Sequence, residues 1–399
     1  MIDAPLLDAP DDLVRADPHG LLRAVAAAGA HVRTAARTAE ESDLARLRPE
    51  GRPGTVLVAG TGPAVPLAAD LLAALAGDTV RFTHLRPTGP LAAHGALTWP
   101  LPRWAGPLDL LLLLTADGSE PGLAMLLEAA FRRGCAIVVA APAESPLAQT
   151  AAHRRCPVVP TDSAPSHALS LPGPGAPAAA PGPAWALLTP ALLLADRLGL
   201  LQPRPGSGPD ADPQAGPTAV QAVADRLDAL AERCGPNVPA AANPAKTLAV
   251  DLADTFPLLW SEGPVAGAAA RHAAATLTAL AGRPALAAGL PEALVAHRAL
   301  LGVNLAPADG DPDDFFRDRV DESPPLHARV VLLRDPARAG EEGTGSAADT
   351  ARDLATGLGT AIGEPAVTGG GGLLATAAEL IAQLDFAAVY LTVTAHRGG

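Results

Sequence analysis

Short runs of consecutive apolar residues, each followed by a turn and then by an apolar helical pattern, recur along this chain of 399 residues. The first run is Gly54 to Gly60, with the sequence GTVLVAG, which enters the turn Gly60-Thr61-Gly62 and then the helical pattern Val65 to Ala76. A strand made only of apolar residues is buried on both faces, and such strands alternate with helices in parallel sheets. The pattern therefore predicts an α/β fold built from doubly wound parallel sheets.

The alternation continues on both sides of a stretch rich in Pro, Gly and Ala, Ser163 to Pro217. A chain of this length is too long for one compact core, so two domains are expected. The predicted organisation is an N-terminal helical segment (1–48), a first domain (49–162), a Pro/Gly-rich linker with one helix (163–218) and a second domain (219–399). Strands are predicted at 54–60, 79–85, 108–115, 136–141, 256–261, 284–288 and 328–334, and helices at 17–40, 65–76, 122–133, 184–200, 220–233, 245–254, 265–281, 291–301, 347–362 and 373–384.

The charge and composition of the chain exclude some classes of binding partner. The formal charge is −13 and no basic run occurs, which argues against nucleic acid and against anionic membranes as partners. The acidic start is unlike a signal peptide, and the longest strongly apolar run, Leu108 to Leu114, is far shorter than a bilayer span, so we expect a cytoplasmic protein. Cys135, Cys156 and Cys234 are odd in number and widely spaced, which supports neither a disulfide framework nor a zinc site. We expect no metal and no cofactor.

A glycine-rich turn after a strand also suggests a dinucleotide site. Here, however, the turn from Gly60 to Val65 lacks the third glycine of that fingerprint, and the strand 79–85 does not end in the acidic residue that holds a ribose. The sequence therefore argues against a dinucleotide site.

Several segments, read in order along nearly the whole chain, resemble the bacterial and archaeal phosphoglucose/phosphomannose isomerase family. They are DPHGLL, VLVAGTG, LLLLTADGSEPGL, AERCGPNVPAAANPAKTLAVDLA, AHRALLG, RVVLLRD and DFAAVYL. The most specific are Asn243 to Lys246, His297 to Gly302 and Asp385 to Leu391. The resemblance implies two sugar isomerase (SIS) domains with doubly wound parallel sheets and a leading N-terminal helix. It also implies a homodimer, in which a second copy would cover apolar helices such as Val265 to Ala281.

The resemblance implies a sugar phosphate as substrate and suggests where it binds. The residues expected to contact it lie in two turns: Gly60, Thr61 and Gly62, and Thr115, Gly118 and Ser119. Asp117 and Glu120 place carboxylates where a phosphate dianion should lie, which opposes binding through like-charge repulsion. The alternative is that both turns only connect strands to capped helices.

An aldose–ketose isomerase also needs a group that opens the sugar ring and a base that moves a proton between adjacent carbons. The resemblance assigns ring opening to His297, although a lone helical histidine is commonly a surface or supporting residue. Thr278 stands at the position of the family's glutamate base, and a hydroxyl cannot replace that base at neutral pH. Glu262 and Glu292 are the candidate substitutes, with solvated or helix-terminal charges as the alternative.

The family's lysine near the C-terminus is also missing. Arg397 is the candidate cation in its place, with a mobile terminal residue as the alternative. Two functions follow as expectations. One is an isomerase that converts glucose 6-phosphate or mannose 6-phosphate to fructose 6-phosphate with a weakened catalytic site. The other is a non-catalytic SIS protein that binds a sugar phosphate or a partner enzyme.

Overall fold

Two parallel sheets form the framework of the protein. The computed structural model describes residues 2–42, 44, 51–89, 95–161, 180–201, 217–302, 304–305, 326–335, 346–368 and 370–395. The strands are β1 (Thr55–Gly60), β2 (Arg81–His84), β3 (Asp109–Leu114), β4 (Ala136–Ala141), β5 (Val158–Pro160), β6 (Thr255–Glu262), β7 (Leu286–Gly289), β8 (Asn304–Leu305), β9 (Leu326–Arg334) and β10 (Ala361–Gly363). The helices are α1 (Ala4–Leu7), α2 (Pro10–Ala16), α3 (Leu21–Ala26), α4 (Ala28–Glu41), α5 (Ala64–Ala76), α6 (Pro121–Arg132), α7 (Pro146–His153), α8 (Ala184–Arg197), α9 (Pro217–Arg233), α10 (Pro244–Leu252), α11 (Pro264–Ala281), α12 (Ala293–Ala296), α13 (Ala347–Gly357) and α14 (Gly372–Thr394).

The first sheet has the strand order β2-β1-β3-β4-β5, and all of its strands are parallel. Successive residues of a strand point to opposite faces, and both faces are apolar here. Val56 and Val58 of β1 pack into one core, while Leu57 and Ala59 pack into another. The sheet is therefore covered by helices on both sides, as the apolar strand sequences predict.

The second sheet has the order β10-β9-β6-β7, again parallel, and the short β8 pairs antiparallel with β9. Leu259 and Val331 face the core that also contains Val56 and Val58 of the first sheet. On the opposite face, Leu258 and Trp260 pack with residues of α12 and α13. One large apolar core thus lies between the two sheets, which confirms the predicted pair of doubly wound α/β units.

The helix α11 lies inside this shared core. It packs against α5 and α14, and its residues Val265, Ala266 and Leu277 are fully buried. The expectation that this helix needs a second copy of the chain to cover it was wrong, because elements of the same chain cover it.

Other boundaries differ from the sequence predictions for local reasons. The single leading helix predicted over 17–40 is two helices, α3 and α4, which are separated at Ala27. The first of them begins at Leu21 rather than at Asp17, because the Asp17 carboxylate accepts hydrogen bonds from the backbone N–H groups of Leu21 and Leu22. Predicted helix 347–362 ends at Gly357, and the chain then forms β10. The elements α1, α2, α7, β5, β8 and β10 were missed, and the three strands among them have only two or three residues. The helix α8, predicted inside a linker, packs against α4 and α5; the rest of that linker, 162–179 and 202–216, lies outside the described residues.

By length and composition, α14 is apolar enough to cross a membrane, but 89% of its most apolar window is buried inside the protein. Core helices of globular proteins pass the same test.

Candidate functional site

The two turns predicted to bind phosphate lie together at the carboxyl edge of the first sheet. Thr61 follows β1 and Thr115 follows β3, and their hydroxyl oxygens are 2.8 Å apart. Gly60 has a φ of 155°, and a β-carbon at this position would lie 1.8 Å from the carbonyl oxygen of Leu114. Only glycine therefore permits the close approach of the two strands that brings the hydroxyls together.

The Asp117 carboxylate occupies the hydrogen-bond donors of the second turn. It accepts bonds from the Thr115 hydroxyl (3.1 Å), the Ser119 hydroxyl (3.0 Å) and the Ser119 backbone N–H (3.2 Å). A phosphate oxygen would need the same donors, so it would have to displace this carboxylate. Asp117 therefore opposes phosphate binding both by its charge, as the sequence predicts, and by its hydrogen bonds to the turn.

The N-terminus of the following helix, α6, is also capped by a carboxylate of the chain. Glu120 is 2% exposed and is the N-terminal cap of α6, where its side chain accepts from the Gly122 N–H at 3.5 Å. Helix N-termini bind anions through free N–H groups. Here the chain supplies its own anion. Gly118, with a φ of 63°, packs against Ser145, which caps α7 and which the sequence analysis did not single out.

In the second sheet, His297 lies beside the fully buried Trp260 of β6. The Trp260 indole Nε1 donates to His297 Nδ1 at 2.9 Å, which makes Nδ1 an acceptor and leaves the proton of the neutral ring on Nε2. Burial holds the pKa of His297 below its ordinary value. In this state His297 can donate a hydrogen bond through Nε2, but it has no free lone pair with which to accept a proton.

Glu262, at the end of β6, is engaged in structural contacts. Its carboxylate accepts from Arg334 Nε (2.9 Å), from the Ser346 hydroxyl (2.7 Å) and from the Ala348 N–H (3.2 Å). Burial alone would raise the pKa of Glu262, but these bonds outweigh burial and hold the pKa below its usual value. A carboxylate stabilised in this way is a weak base, and it connects β9 to the start of α13.

The remaining candidates are separate from these groups. Glu292 is exposed at the start of α12 and makes no capping hydrogen bond. Thr278 is exposed near the end of α11, where its hydroxyl donates to the carbonyl of Ala274. Because α11 starts at the carboxyl edge of the sheet, 14 residues place Thr278 roughly 20 Å further along the helix. Arg397 lies outside the described residues.

Within the described part of the chain, no hydrogen bond joins His297 to a carboxylate, and no group of three His, Cys, Asp or Glu side chains could hold a metal ion. Three cavities in this part, of about 810, 610 and 340 Å³, are lined by other residues. The structure thus brings together Gly60, Thr61 and Gly62 with Thr115, Gly118 and Ser119, but does not join Glu262 or Glu292 to His297.

The chain is similar to known proteins in part of its sequence and in its overall fold. Residues 241–397 match the family described as the bacterial phospho-glucose isomerase C-terminal SIS domain. A candidate phosphosugar isomerase from Silicibacter pomeroyi superposes with a TM-score of 0.56 at 17% identity, covering 92% of this chain and 95% of its own. A hypothetical protein from Thermus thermophilus gives 0.59 at 14% identity, covering 98% and 91%. A candidate phosphosugar isomerase from Clostridium difficile gives 0.59 at 9% identity, covering 95% and 93%.

No curated protein sequence matches the chain. At these identities the structural matches establish the fold alone, which has two doubly wound α/β units built on parallel sheets. Over residues 241–397 the sequence is similar to the bacterial phospho-glucose isomerase C-terminal SIS domain.

Proposed function

We propose that this protein is a phosphosugar isomerase-like protein for glucose 6-phosphate or mannose 6-phosphate and fructose 6-phosphate, with a weakened catalytic site. The observation that carries the proposal is the state of Glu262. Its carboxylate is held by three hydrogen bonds, and a lowered pKa makes it a poor acceptor for a carbon-bound proton. The other substitute, Glu292, is exposed to solvent. Neither supplies a well-placed base.

The ring-opening step retains one hydrogen-bond donor. In the neutral state set by Trp260, the Nε2–H of His297 can donate a hydrogen bond that polarises a ring oxygen, while the protons of ring opening are exchanged with water. Proton transfer between carbons depends on a general base, which typically contributes about 100- to 10,000-fold. We therefore expect slow turnover, limited by the enediol step.

A coupled assay of fructose 6-phosphate formation from each hexose 6-phosphate tests this proposal. The expected turnover is well below about 10 per second, the median for enzymes, and a value at or above it contradicts the weakened site. Glu292→Gln and Glu262→Gln identify any remaining base: loss of residual activity without loss of stability would assign that role. Thr278→Glu is the matched control, and its distance from the sheet edge predicts no gain.

A second candidate is a non-catalytic SIS protein that binds a sugar phosphate, or a partner enzyme, as a sensor. It is favoured by Asp117, which holds the donors of the phosphate turn and could exchange with a ligand phosphate. Absence of turnover, together with a rise in melting temperature caused by fructose 6-phosphate and lost in His297→Ala, would select this function. Absence of both turnover and thermal shift would contradict both sugar-phosphate proposals.

Two further proposals rest on the resemblance and the composition. We propose a cytoplasmic location and a homodimer. The proposed homodimer rests on the resemblance, since α11 is covered within one chain and does not need a second copy. Sedimentation that shows only monomer at micromolar concentration would contradict the dimer.

A further inference from the structure

We propose that a cavity at the amino-terminal edge of the first sheet is a second binding site, for a small organic anion with an apolar body. The cavity has a volume of about 610 Å³ and lies where β3 and β4 begin, between Leu110, Ile137 and the segment 154–157. Ligands of open parallel sheets usually bind at the opposite, carboxyl edge. The proposed site is therefore separate from the turns around Thr61 and Thr115.

The walls of the cavity are mainly apolar. Leu108, which is 79% exposed, and Phe131, which is 41% exposed, line it together with Pro107 and Pro157. The thiols of Cys135 and Cys156 also line it, and burial raises the pKa of both, so that they are neutral at physiological pH. A mostly apolar cavity of this volume is typical of small-molecule sites.

The charged groups of the lining are three arginines, Arg52, Arg154 and Arg155, and one carboxylate, Asp109. Asp109 is 8% exposed and accepts the backbone N–H of Gly106 at 2.9 Å. Positive charge therefore predominates at this cavity, although the chain carries a formal charge of −13. An anion approaching the protein would find a favourable local potential here.

The three arginines have different roles. Arg154 forms a two-pronged ion pair with Glu128 (2.8 and 2.7 Å), and its guanidinium lies 4.9 Å from the centre of the Phe131 ring. Arg154 thus shapes one wall and its charge is neutralised. Arg52 and Arg155 are exposed and make no ion pair with any described residue. These two guanidinium groups are available for a carboxylate, phosphate or sulfonate, whose oxygens they can bind in pairs.

The backbone at this rim is unusual. Arg155 has a φ of 56°, and it is the one non-glycine residue with positive φ in the described part of the chain. A left-handed conformation at a residue of this size is uncommon and costs free energy. With this backbone conformation, Arg154, Arg155 and Cys156 all line the same cavity.

These features select the class of ligand. An apolar body would fill the space between Leu108, Ile137 and Phe131, and one acidic group would meet Arg52 and Arg155. A bare sugar phosphate fits poorly, because its hydroxyls would lose water without gaining partners on apolar walls. The site would thus recognise molecules such as aryl carboxylates or aryl phosphates, which differ from the proposed substrates.

Two fluorescent probes with one body test the site: 8-anilinonaphthalene-1-sulfonate and its uncharged analogue N-phenyl-1-naphthylamine. The double variant Arg52→Gln/Arg155→Gln should weaken sulfonate binding about 10-fold, since charge-assisted hydrogen bonds are lost, and should change binding of the uncharged probe less than 2-fold. Leu108→Ser should weaken both probes, and because this side chain is exposed, the substitution should not unfold the protein.

Arg23→Gln/Arg37→Gln is the matched control, because both arginines are exposed on α3 and α4 and the change in net charge is identical. Equal loss in the two double variants would show only a general electrostatic effect and overturn the proposal. No saturable sulfonate binding to the wild-type protein, or unchanged binding after Arg52→Gln/Arg155→Gln, would overturn it as well. Thermal unfolding of every variant confirms that binding is compared between folded proteins.

Discussion

The indole of Trp260 donates a hydrogen bond of 2.9 Å to Nδ1 of His297, the residue that the family resemblance assigns to ring opening. Trp260 is fully buried in β6, whereas His297 ends the short helix α12, so the bond fixes the histidine against the sheet. It also fixes the tautomer. His297 is a hydrogen-bond donor to any ligand, and its protonation would bring two N–H groups face to face.

The stability of the protein should depend on pH because of the buried His297. The pKa of His297 is lowered by burial, so its contribution to stability is fully present above the unfolded value of about 6.5 and is lost as the pH falls through the folded value. Between pH 7.5 and 5.0, the wild-type protein should lose more stability than His297→Asn. Urea denaturation measures the difference. Parallel pH curves for the two proteins would contradict the lowered pKa.

Removal of the indole donor gives a direct test by NMR. Trp260→Phe should move the pKa of His297 upward, because the group that opposes protonation of Nδ1 is gone. The same variant should lower the free energy of unfolding by about 2 to 4 kcal/mol, since a large buried side chain is truncated. A titration of the His297 ring signal that is unchanged in Trp260→Phe would show that burial alone sets the pKa.

Neutralising Asp117 should open the phosphate turn. Asp117→Asn removes the negative charge that Thr115 and Ser119 now bind, and a dianion close to this position gains about 2 kcal/mol or more when the charge is gone. Calorimetry should therefore show at least a ~10-fold gain in affinity for fructose 6-phosphate. Glu144→Gln, an exposed residue before α7, controls for net charge. A gain in both variants alike would indicate long-range electrostatics instead.

The sequence predicted the fold well because burial of strands on both faces leaves a strong pattern. Runs such as GTVLVAG in β1 and the leucines of β3 fit only a covered parallel sheet. Short edge strands were missed because two or three residues carry no periodicity, as in β10. Contacts between distant segments were also invisible, and the covering of α11 by α5 and α14 is an example.

The sequence says less about the candidate site than about the fold, because the motifs that carry the resemblance also perform structural tasks. Asn243 caps α10, and Gly302, with a φ of 68°, donates its N–H to Thr360. Residue type and spacing cannot distinguish these tasks from catalysis. Only the contacts of Glu262 showed that a carboxylate next to a strand end was already bound by Arg334 and Ser346.

The one lysine of the chain should be a major determinant of stability. Lys246 is fully buried and donates to the carbonyl oxygens of Leu7 (2.6 Å), Pro236 (2.8 Å) and Val238 (2.7 Å). Lys246→Met should cost about 3 kcal/mol or more, because three carbonyls, one of them in a buried bond and two in partly buried bonds, lose their donor. Hydrogen exchange should increase across residues 2–26. Thr247→Ala, at the exposed neighbouring position, should cost less than about 1 kcal/mol. Equal costs in the two variants would contradict the anchoring role.

A buried pair of titratable side chains joins α11 to α14. His272 Nε2 and Asp385 Oδ1 are 2.9 Å apart, and both side chains are nearly inaccessible. Burial alone would lower the pKa of His272, but the charge of Asp385 and the hydrogen bond between them outweigh burial and raise it. Breaking such a pair from one side should cost about 3 to 5 kcal/mol. The exposed pair of Arg271 with Asp70, at 2.6 Å, should contribute at most about 1 kcal/mol.

Double-mutant cycles by urea denaturation compare the two pairs, with Asp385→Asn and His272→Asn in one and Asp70→Asn and Arg271→Gln in the other. The pH dependence of the stability contributed by His272 should also change sign between the wild-type protein and Asp385→Asn. With Asp385 present, the stability contributed by His272 is complete below an unfolded pKa of about 6.5 and is lost as the pH rises through the raised pKa. In Asp385→Asn only burial remains, so the pKa of His272 falls and its contribution is lost at acidic pH instead. A pH profile of the same sign in both proteins would show that Asp385 does not control the charge of His272.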